Sequence, residues 1–152
     1  EIPDGVGSIG HGAFENNLLT SAVISDSVNS IGDFAFEGNK LTGIQIPDGV
    51  TSIGHSAFSE NRLTSVVIPG GIASIDNSTF SSDRLTSVTI PDNVTWIGDF
   101  AFNDNQLSSI EISDSVTLIG KNAFSYNNAW HLFTIFIASP LEILPSLIIE
   151  LA

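Results

Sequence analysis

Residues 41–62 read LTGIQIPDGVTSIGHSAFSENR, and this 22-residue pattern recurs along most of the chain. Its most regular mark is a phenylalanine that returns at an unbroken interval: Phe14, Phe36, Phe58, Phe80, Phe102 and Phe124. A fixed period of about 20 to 29 residues with this much apolar content indicates a solenoid, in which each repeat forms one short coil. The sequence therefore predicts about six stacked coils.

Five further columns of residues keep the same period. Isoleucine recurs from Ile2 to Ile112 and from Ile9 to Ile119, leucine from Leu19 to Leu107, a branched residue from Val6 to Val116, and a polar column runs Asn17, Asn39, Asn61, Asp83, Asn105 and Asn127. One coil cannot bury its own apolar faces, so stacked coils must share them. We therefore expect the phenylalanines to form a continuous spine. We expect the asparagines to be buried amides bonded to neighbouring turns, because a buried polar group needs partners.

Within one repeat the hydrophobic pattern changes. Ile44 and Ile46 alternate with outward residues, as in a half-buried strand. Pro47-Asp48-Gly49 predicts a tight turn, because proline lacks a backbone donor and Asp-Gly favours turns. The return along residues 50–58 fits neither strand nor helix spacing, which predicts short strand or 3₁₀ pieces. A glycine column (Gly10, Gly32, Gly54, Gly98 and Gly120) is interpreted as a positive-φ position, with Asp76 as its one replacement.

Read from its leucine, the unit is L-x-x-(V/I)-x-I-(P/S)-D-x-V-x-x-I-G-x-x-A-F-x-x-N-x. Over residues 1–128 it resembles the leucine-rich repeat, and it is most similar to the BspA-like subclass, whose repeats read L-x-x-I-x-I-P-x-x-V-x-x-I-G-x-x-A-F. This resemblance implies a leucine-rich-repeat solenoid, a curved right-handed α/β-type coil of short parallel strands with little helix, whose concave face carries a parallel sheet. It also implies a secreted or cell-surface protein of bacterial type that binds proteins or glycans.

The composition restricts the partners. The chain has 17 acidic residues against 4 Lys and Arg, a formal net charge of −13. Nucleic acids and anionic membrane surfaces attract basic patches, so this balance argues against both. The absence of Cys excludes disulfides and thiol chemistry, and nothing in the sequence implies a cofactor.

Both ends depart from the repeat. The chain opens in mid-repeat with Glu1-Ile2-Pro3-Asp4, and we expect it to be a fragment or a processed product. Because a terminal coil needs a polar cap, we expect the open end to pair with another copy, giving a homo-oligomer, or to fray. Residues 129–152 are hydrophobic but lack the repeat pattern, and we interpret them as a C-terminal cap or a tail unrelated to the family. Two prolines and two glutamates interrupt them, so no membrane insertion is expected.

The predicted binding surface consists of two outward columns of the strand. We call it the strand face, and its residues are Val23, Gln45, Val67, Thr89 and Glu111 in one column and Ser21, Gly43, Ser65, Ser87 and Ser109 in the other. Solenoids commonly bind partners along their concave surface. The face lacks Trp, Tyr and Arg, the residues that supply most interface energy. Binding there would rely on shape, hydroxyl groups and avidity.

Three polar columns could be read as ligand sites, but in each case we favour a structural explanation. One carboxylate per coil (Asp4, Asp26, Asp48, Asp92 and Asp114) is too few for Ca²⁺, which takes six to eight oxygen ligands, whereas aspartate is common in turns. His11, Asp33 and His55 share a column, but histidines two coils apart are separated by about 9.6 Å, too far to share zinc. Lys40, Arg62 and Arg84, beside Glu37, Glu60 and Asp83, predict neutralisation of surface charge.

No catalytic constellation is recognisable, since the sequence has no Gly-x-Ser-x-Gly, no His-Glu-x-x-His and no Cys nucleophile. The favoured function is a noncatalytic protein- or glycan-binding module that acts in adhesion. One alternative is a structural or self-assembling solenoid spacer without its own ligand, with ice binding by the threonine column (Thr20, Thr42, Thr64 and Thr86) as a special case. Another is a hydrolase with an unrecognised site, for which the irregular repeat at residues 70–80 is the candidate.

Overall fold

The computed structural model of the protein describes residues 1–128, which form a stack of six coils, one for each repeat. No helix occurs in this range, so none of these residues belongs to a helix able to span a membrane. The strands are β1 (Ser8–Ile9), β2 (Ser30–Ile31), β3 (Ser52–Ile53), β4 (Ser65–Val67), β5 (Ser74–Ile75), β6 (Ser87–Thr89), β7 (Trp96–Ile97) and β8 (Leu118–Ile119). The predicted solenoid of short strands is confirmed. The segment 129–152, predicted to be a cap or an unrelated tail, lies outside the described residues.

All strand pairs are parallel, and each strand lies beside its equivalent in an adjacent coil. β1, β2 and β3 form one sheet, β5, β7 and β8 form a second, and β4 pairs with β6 in a third. An isolated bridge from Thr89 to Glu111 extends the third sheet into the next coil. Paired residues are one repeat apart, as Ser30 is from Ser52. Equal coil length therefore keeps the whole stack in register.

The strands and turns follow the alternation of the repeat. In β1 the side chain of Ser8 is exposed and that of Ile9 is buried, and β4 and β6 bury only their central valines. Successive side chains of a strand point to opposite faces, which explains the pattern. The N–H of Val50 donates to the carbonyl of Pro47 at 3.0 Å and closes the turn predicted after the strand.

The phenylalanine column forms an aromatic spine inside the solenoid, as predicted. Successive ring centroids are 5.2 to 5.6 Å apart, with interplanar angles of 2° to 14°. Favourable aromatic pairs have centroid separations of about 4.5–7 Å. Phe36, Phe58, Phe80 and Phe102 are at most 1% exposed. The isoleucine, leucine and valine columns pack around them in one continuous core.

Asn39, Asn61 and Asn105 of the asparagine column are buried and join each coil to the preceding one, as predicted, whereas Asn127 is half-buried and Asn17 is exposed, so for Asn17 the prediction is wrong. The Nδ2 of Asn61 donates to the carbonyl oxygens of Phe36, Phe58 and Ser59 at 2.9, 2.9 and 3.2 Å, and its Oδ1 accepts from Leu41 N at 3.1 Å. The same four contacts recur at Asn39, Asn105 and Asn127. Each amide therefore satisfies its own donors and acceptor and three backbone carbonyls in a region that water does not reach.

The positive-φ interpretation of the glycine column is wrong. None of its members has a positive φ. Glycine is favoured at Gly32, Gly54, Gly98 and Gly120 because the backbone of the preceding coil lies close to each of them, although Asp76 occupies the same column in the fourth coil. A Cβ on Gly98 would lie 2.6 Å from Asn77 N and 2.8 Å from Asp76 C, whereas one on Gly10, in the first coil, would meet nothing within 4 Å. The column thus marks a close approach between two backbones.

Positive φ occurs instead at two bends that the sequence did not signal. The non-glycine residues with positive φ, from 51° to 58°, are Phe34, Ser56, Ser78, Phe100 and Asn122 at one bend and Asn16, Glu60, Ser82, Asp104 and Tyr126 at the other. Bulky residues seldom adopt this conformation. In every coil before the last described one, the N–H of the strained residue donates to a carbonyl of the next coil, as Phe34 N does to His55 O at 2.8 Å. Bonding between coils therefore imposes the geometry whatever the side chain.

Candidate functional site

All ten residues of the strand face are exposed, and they come from five successive coils. The register of β4 and β6 places Ser65 beside Ser87 and Val67 beside Thr89, and the bridge places Thr89 beside Glu111. The residues between the two columns are buried or half-buried. The structure thus brings together five of the residues that the sequence selected for binding, Ser65, Val67, Ser87, Thr89 and Glu111.

The chemistry of the strand face is mixed. Val23 and Val67 are 60% and 79% exposed, an unusual degree for branched apolar side chains in this chain. Exposed serine hydroxyls, interrupted at Gly43, flank them, and Glu111 is the one charged residue of the face. Such a surface offers a partner apolar contact along one column and hydrogen bonds along the next. The adjacent threonine column is partly engaged already, because Thr86 Oγ1 donates to Thr64 O at 3.3 Å.

The aspartate column lies in turns. Asp48 occupies the turn closed by Val50 N and Pro47 O, and the other four aspartates occupy the equivalent turns of their coils. All five carboxylates are exposed. The described residues contain no group of three or more His, Cys, Asp or Glu residues placed to hold a metal ion.

The column of His11 and His55 has a role that its spacing did not suggest. Both imidazoles pack against Phe34 of the coil between them, with ring centroids 5.3 and 5.0 Å apart. In the same column Asp33 Oδ1 accepts from His55 N at 3.0 Å, and Asp99 Oδ1 accepts from Lys121 N at 2.7 Å. These positions, most of them exposed, therefore add a second set of contacts between coils.

Asp83, which looked like part of a surface charge pair, is a buried member of the asparagine column. It is 7% exposed, and its Oδ1 accepts from Leu63 N at 2.9 Å. Its Oδ2 is buried without a hydrogen-bond partner. Burial raises the pKa of this carboxyl to about 8, against the lowering effect of the Leu63 N–H bond. Arg62 and Arg84 next to it are exposed.

The repeat-by-repeat geometry agrees with a comparison against protein-family models. The model described as the BspA type leucine-rich repeat region matches residues 7–131 in six copies. The chain belongs to this family. The resemblance that the sequence motif suggested is therefore confirmed, and so is the leucine-rich-repeat solenoid.

Two solved structures are similar to this BspA-type chain. A leucine-rich repeat protein from Bacteroides ovatus ATCC 8483 is 31% identical with a TM-score of 0.75, over 84% of this chain and 34% of its own. A leucine rich cell surface protein from Faecalibacterium prausnitzii A2-165 is 34% identical with a TM-score of 0.66, over 88% of this chain and 44% of its own. The chain thus spans less than half the length of either protein. No curated protein matches it.

Leucine-rich repeat families generally mediate protein binding and are generally noncatalytic. In this BspA-type chain, Ser56 Oγ lies 3.3 Å from His55 Nε2, which is the one Ser–His side-chain contact among the described residues. Ser56 is buried, and the His55 ring has no hydrogen bond to a carboxylate within the described part of the chain. A nucleophile needs both access and a base oriented by a third group. This pair provides neither, so it does not support the hydrolase alternative.

Proposed function

We propose that this chain is a noncatalytic recognition module of a secreted or cell-surface bacterial protein, and that it binds a protein or glycan partner through the strand face. The observation that carries the proposal is the register of β4, β6 and the Thr89–Glu111 bridge. This register aligns Ser65 with Ser87 and Val67 with Thr89 and Glu111, all of them exposed, while the buried Val66 and Val88 between the columns pack into the core.

Two further facts support this assignment. Leucine-rich repeat families generally mediate protein binding, and a similar structure belongs to a leucine rich cell surface protein. A rigid, preformed surface also lowers the entropy lost on association, which favours recognition by shape. We extend the partner class to glycans because a row of serine hydroxyls can exchange hydrogen bonds with sugar hydroxyls.

The test is a binding array of extracellular proteins and glycans, probed with the wild-type chain and with Thr89→Arg. A long cation placed at Thr89, beside the central Val67, should abolish saturable binding of any ligand that the wild type retains. Thr95→Arg is the matched control, because Thr95 is an exposed threonine of the same coil outside the strand face. Binding that survives Thr89→Arg but not Thr95→Arg would move the site to another surface.

One observation favours self-association of the chain as a second candidate function. Ile2, Val6, Ile9 and Phe14 of the first coil line an apolar groove of about 240 Å³. We propose that the same end of a second copy of the chain covers this groove. Sedimentation velocity at increasing concentration should then show association, and Val6→Glu should prevent it because a charge would enter the apolar contact. Monomers at all concentrations would contradict this candidate.

A further inference from the structure

Asp83 breaks the chemistry of the asparagine column while keeping its position. At every other buried site of the column, an Nδ2 donates to the carbonyl of the phenylalanine in its own coil and to that of the preceding coil. Asn105 does so to Phe102 O and Phe80 O at 3.2 and 2.7 Å, with a third bond to Asn103 O at 3.2 Å. An aspartate carries an oxygen where the asparagine carries this donor.

The Oδ1 oxygen of Asp83 keeps the acceptor contact that the asparagine Oδ1 makes elsewhere in the column. Its Oδ1 accepts from Leu63 N at 2.9 Å, the contact that Asn105 Oδ1 makes with Leu85 N at 2.9 Å. By the symmetry of the repeat, the other oxygen takes the place of an Nδ2 aimed at the carbonyls of Phe58 and Phe80. That oxygen, Oδ2, is buried and has no partner.

An ionised carboxylate cannot satisfy this site. Its Oδ2 would bring a negative charge against carbonyl oxygens that also carry partial negative charge, at a buried position where solvent screening is weak. A protonated carboxyl has one O–H donor and can make the bond that an asparagine makes. The same core that has no partner for the anion therefore has one for the acid.

We propose that Asp83 is held as the neutral carboxylic acid in the folded chain at neutral pH, with its Oδ2–H donating to the carbonyls of Phe58 and Phe80. The contact between the third and fourth coils then depends on one proton, whereas the equivalent contacts at the other coils do not. Leu63, which Asp83 bonds, lies two residues before β4, so this contact lies directly beside the strand face.

No neighbouring charge takes over the role of the proton. The charged residues of the same bend are Glu60 and Arg62 in the third coil, Arg84 in the fourth and Asp104 in the fifth, and all four are exposed. None of them is among the causes that shift the pKa of Asp83, which are burial and the Leu63 N–H bond. Among residues 1–128, a proton is therefore the one counterpart that remains for this oxygen.

The sign of the pH dependence follows from the two pKa values. The folded pKa is about 8 and the ordinary value is 3.8, so between them the folded chain holds a proton that the unfolded chain has lost. Stability from Asp83 is complete below about pH 4 and falls as pH rises, by up to about tenfold in the folding equilibrium constant per pH unit. Above about pH 8 both states are ionised and the loss is complete.

The test is chemical denaturation of the wild type and Asp83→Asn from pH 4 to pH 9. The amide introduced by Asp83→Asn would restore the missing donor at every pH, so the ratio of the two folding constants should rise in favour of the variant by up to about tenfold per pH unit and level off near pH 8. Asp92→Asn is the matched control, since it removes the same charge from an exposed turn and should show no such rise. Parallel curves for wild type and Asp83→Asn would overturn the proposal.

A direct titration provides the second measurement. The ¹³Cγ resonance of Asp83 in the folded wild type should titrate near pH 8. A midpoint for Asp83 within the ordinary range of about 3.5 to 4 would overturn the proposal, whatever the stability data show.

Discussion

At the scale of single residues, the asparagines stabilise the stack by satisfying backbone groups that the coils themselves leave open. Each buried amide bonds three carbonyls and one N–H, and these belong to two coils. Removing such a group leaves several buried polar atoms unpaired, and the penalty for each exceeds the net value of an ordinary hydrogen bond. The amide side chains thus pair buried backbone groups between coils, as main-chain hydrogen bonds pair them within regular secondary structure.

Replacement of Asn105 by Ala should therefore destabilise the protein strongly. Leu85 N and the carbonyls of Phe80 and Phe102 lose their buried partner, and we expect the free energy of unfolding to fall by about 2–4 kcal/mol. Urea denaturation of the wild type and the variant measures this change in the free energy of unfolding. Asn17→Ala is the control, because Asn17 is exposed and donates only to Glu15 O; equal losses for the two variants would contradict the explanation.

The glycine column gives a second prediction at this scale. In Gly98→Ala the new Cβ would meet the backbone of the preceding coil at 2.6 to 2.8 Å, and backbone cannot rotate away as a side chain can. Overpacking of this kind costs about 1–3 kcal/mol. Gly10→Ala should be nearly neutral, because nothing lies within 4 Å of its Cβ position. Comparison of the two variants by thermal unfolding decides whether close approach is the reason for the column.

At the scale of elements, the strands are too short to be stable individually. β4 and β6 have three residues each and the others two, so pairing with the next coil and burial against the aromatic spine must stabilise them. This explains why the repeat alternates apolar and polar residues only briefly before it turns. The alternation, the turn and the spine were all predictable, because each depends on residue types that recur in every coil.

Truncation within the spine should destabilise the elements on both sides. Phe80 is fully buried and stacks between Phe58 and Phe102, with centroids 5.6 Å from each. We expect Phe80→Ala to lower the free energy of unfolding by about 3–5 kcal/mol. Phe100→Ala is the control within the neighbouring coil, because its ring is 37% exposed, and it should lose much less in the same denaturation experiment.

At the scale of the whole molecule, stacking of the coils stabilises the folded state, whereas the net charge destabilises it. The net charge of −13 at pH 7 is spread over a small elongated chain and opposes its compact state. Two carboxyls add to this effect. The pKa of Asp83 is raised to about 8 by burial, and the pKa of Glu37 is raised from its ordinary value by burial and by the nearby Glu60 and Glu15. Both groups lose stabilising protonation as pH rises.

The protein should accordingly be more stable in mild acid than in mild base. Calorimetry at pH 5 and pH 8 should give the higher Tm at pH 5. Added salt should raise the Tm at pH 8 only in part, because salt screens exposed charges but not the buried Asp83. In Asp83→Asn the remaining difference between the two pH values in high salt should nearly vanish. A Tm that is higher at pH 8 would contradict this account.

The sequence by itself determined the solenoid, its aromatic spine, its bonded asparagines and the exposed columns of the strand face. Identical repeats stack only if like residues meet, so the 22-residue period already states which residues are neighbours. The tertiary structure alone decided the rest. It showed that the glycines face a backbone, that Phe34 and nine other non-glycine residues adopt positive φ, and that one oxygen of Asp83 lies unpartnered in the core. The physical reason is that these features depend on distances between coils and on the bonds that link them, whereas a residue pattern records only which side chains recur.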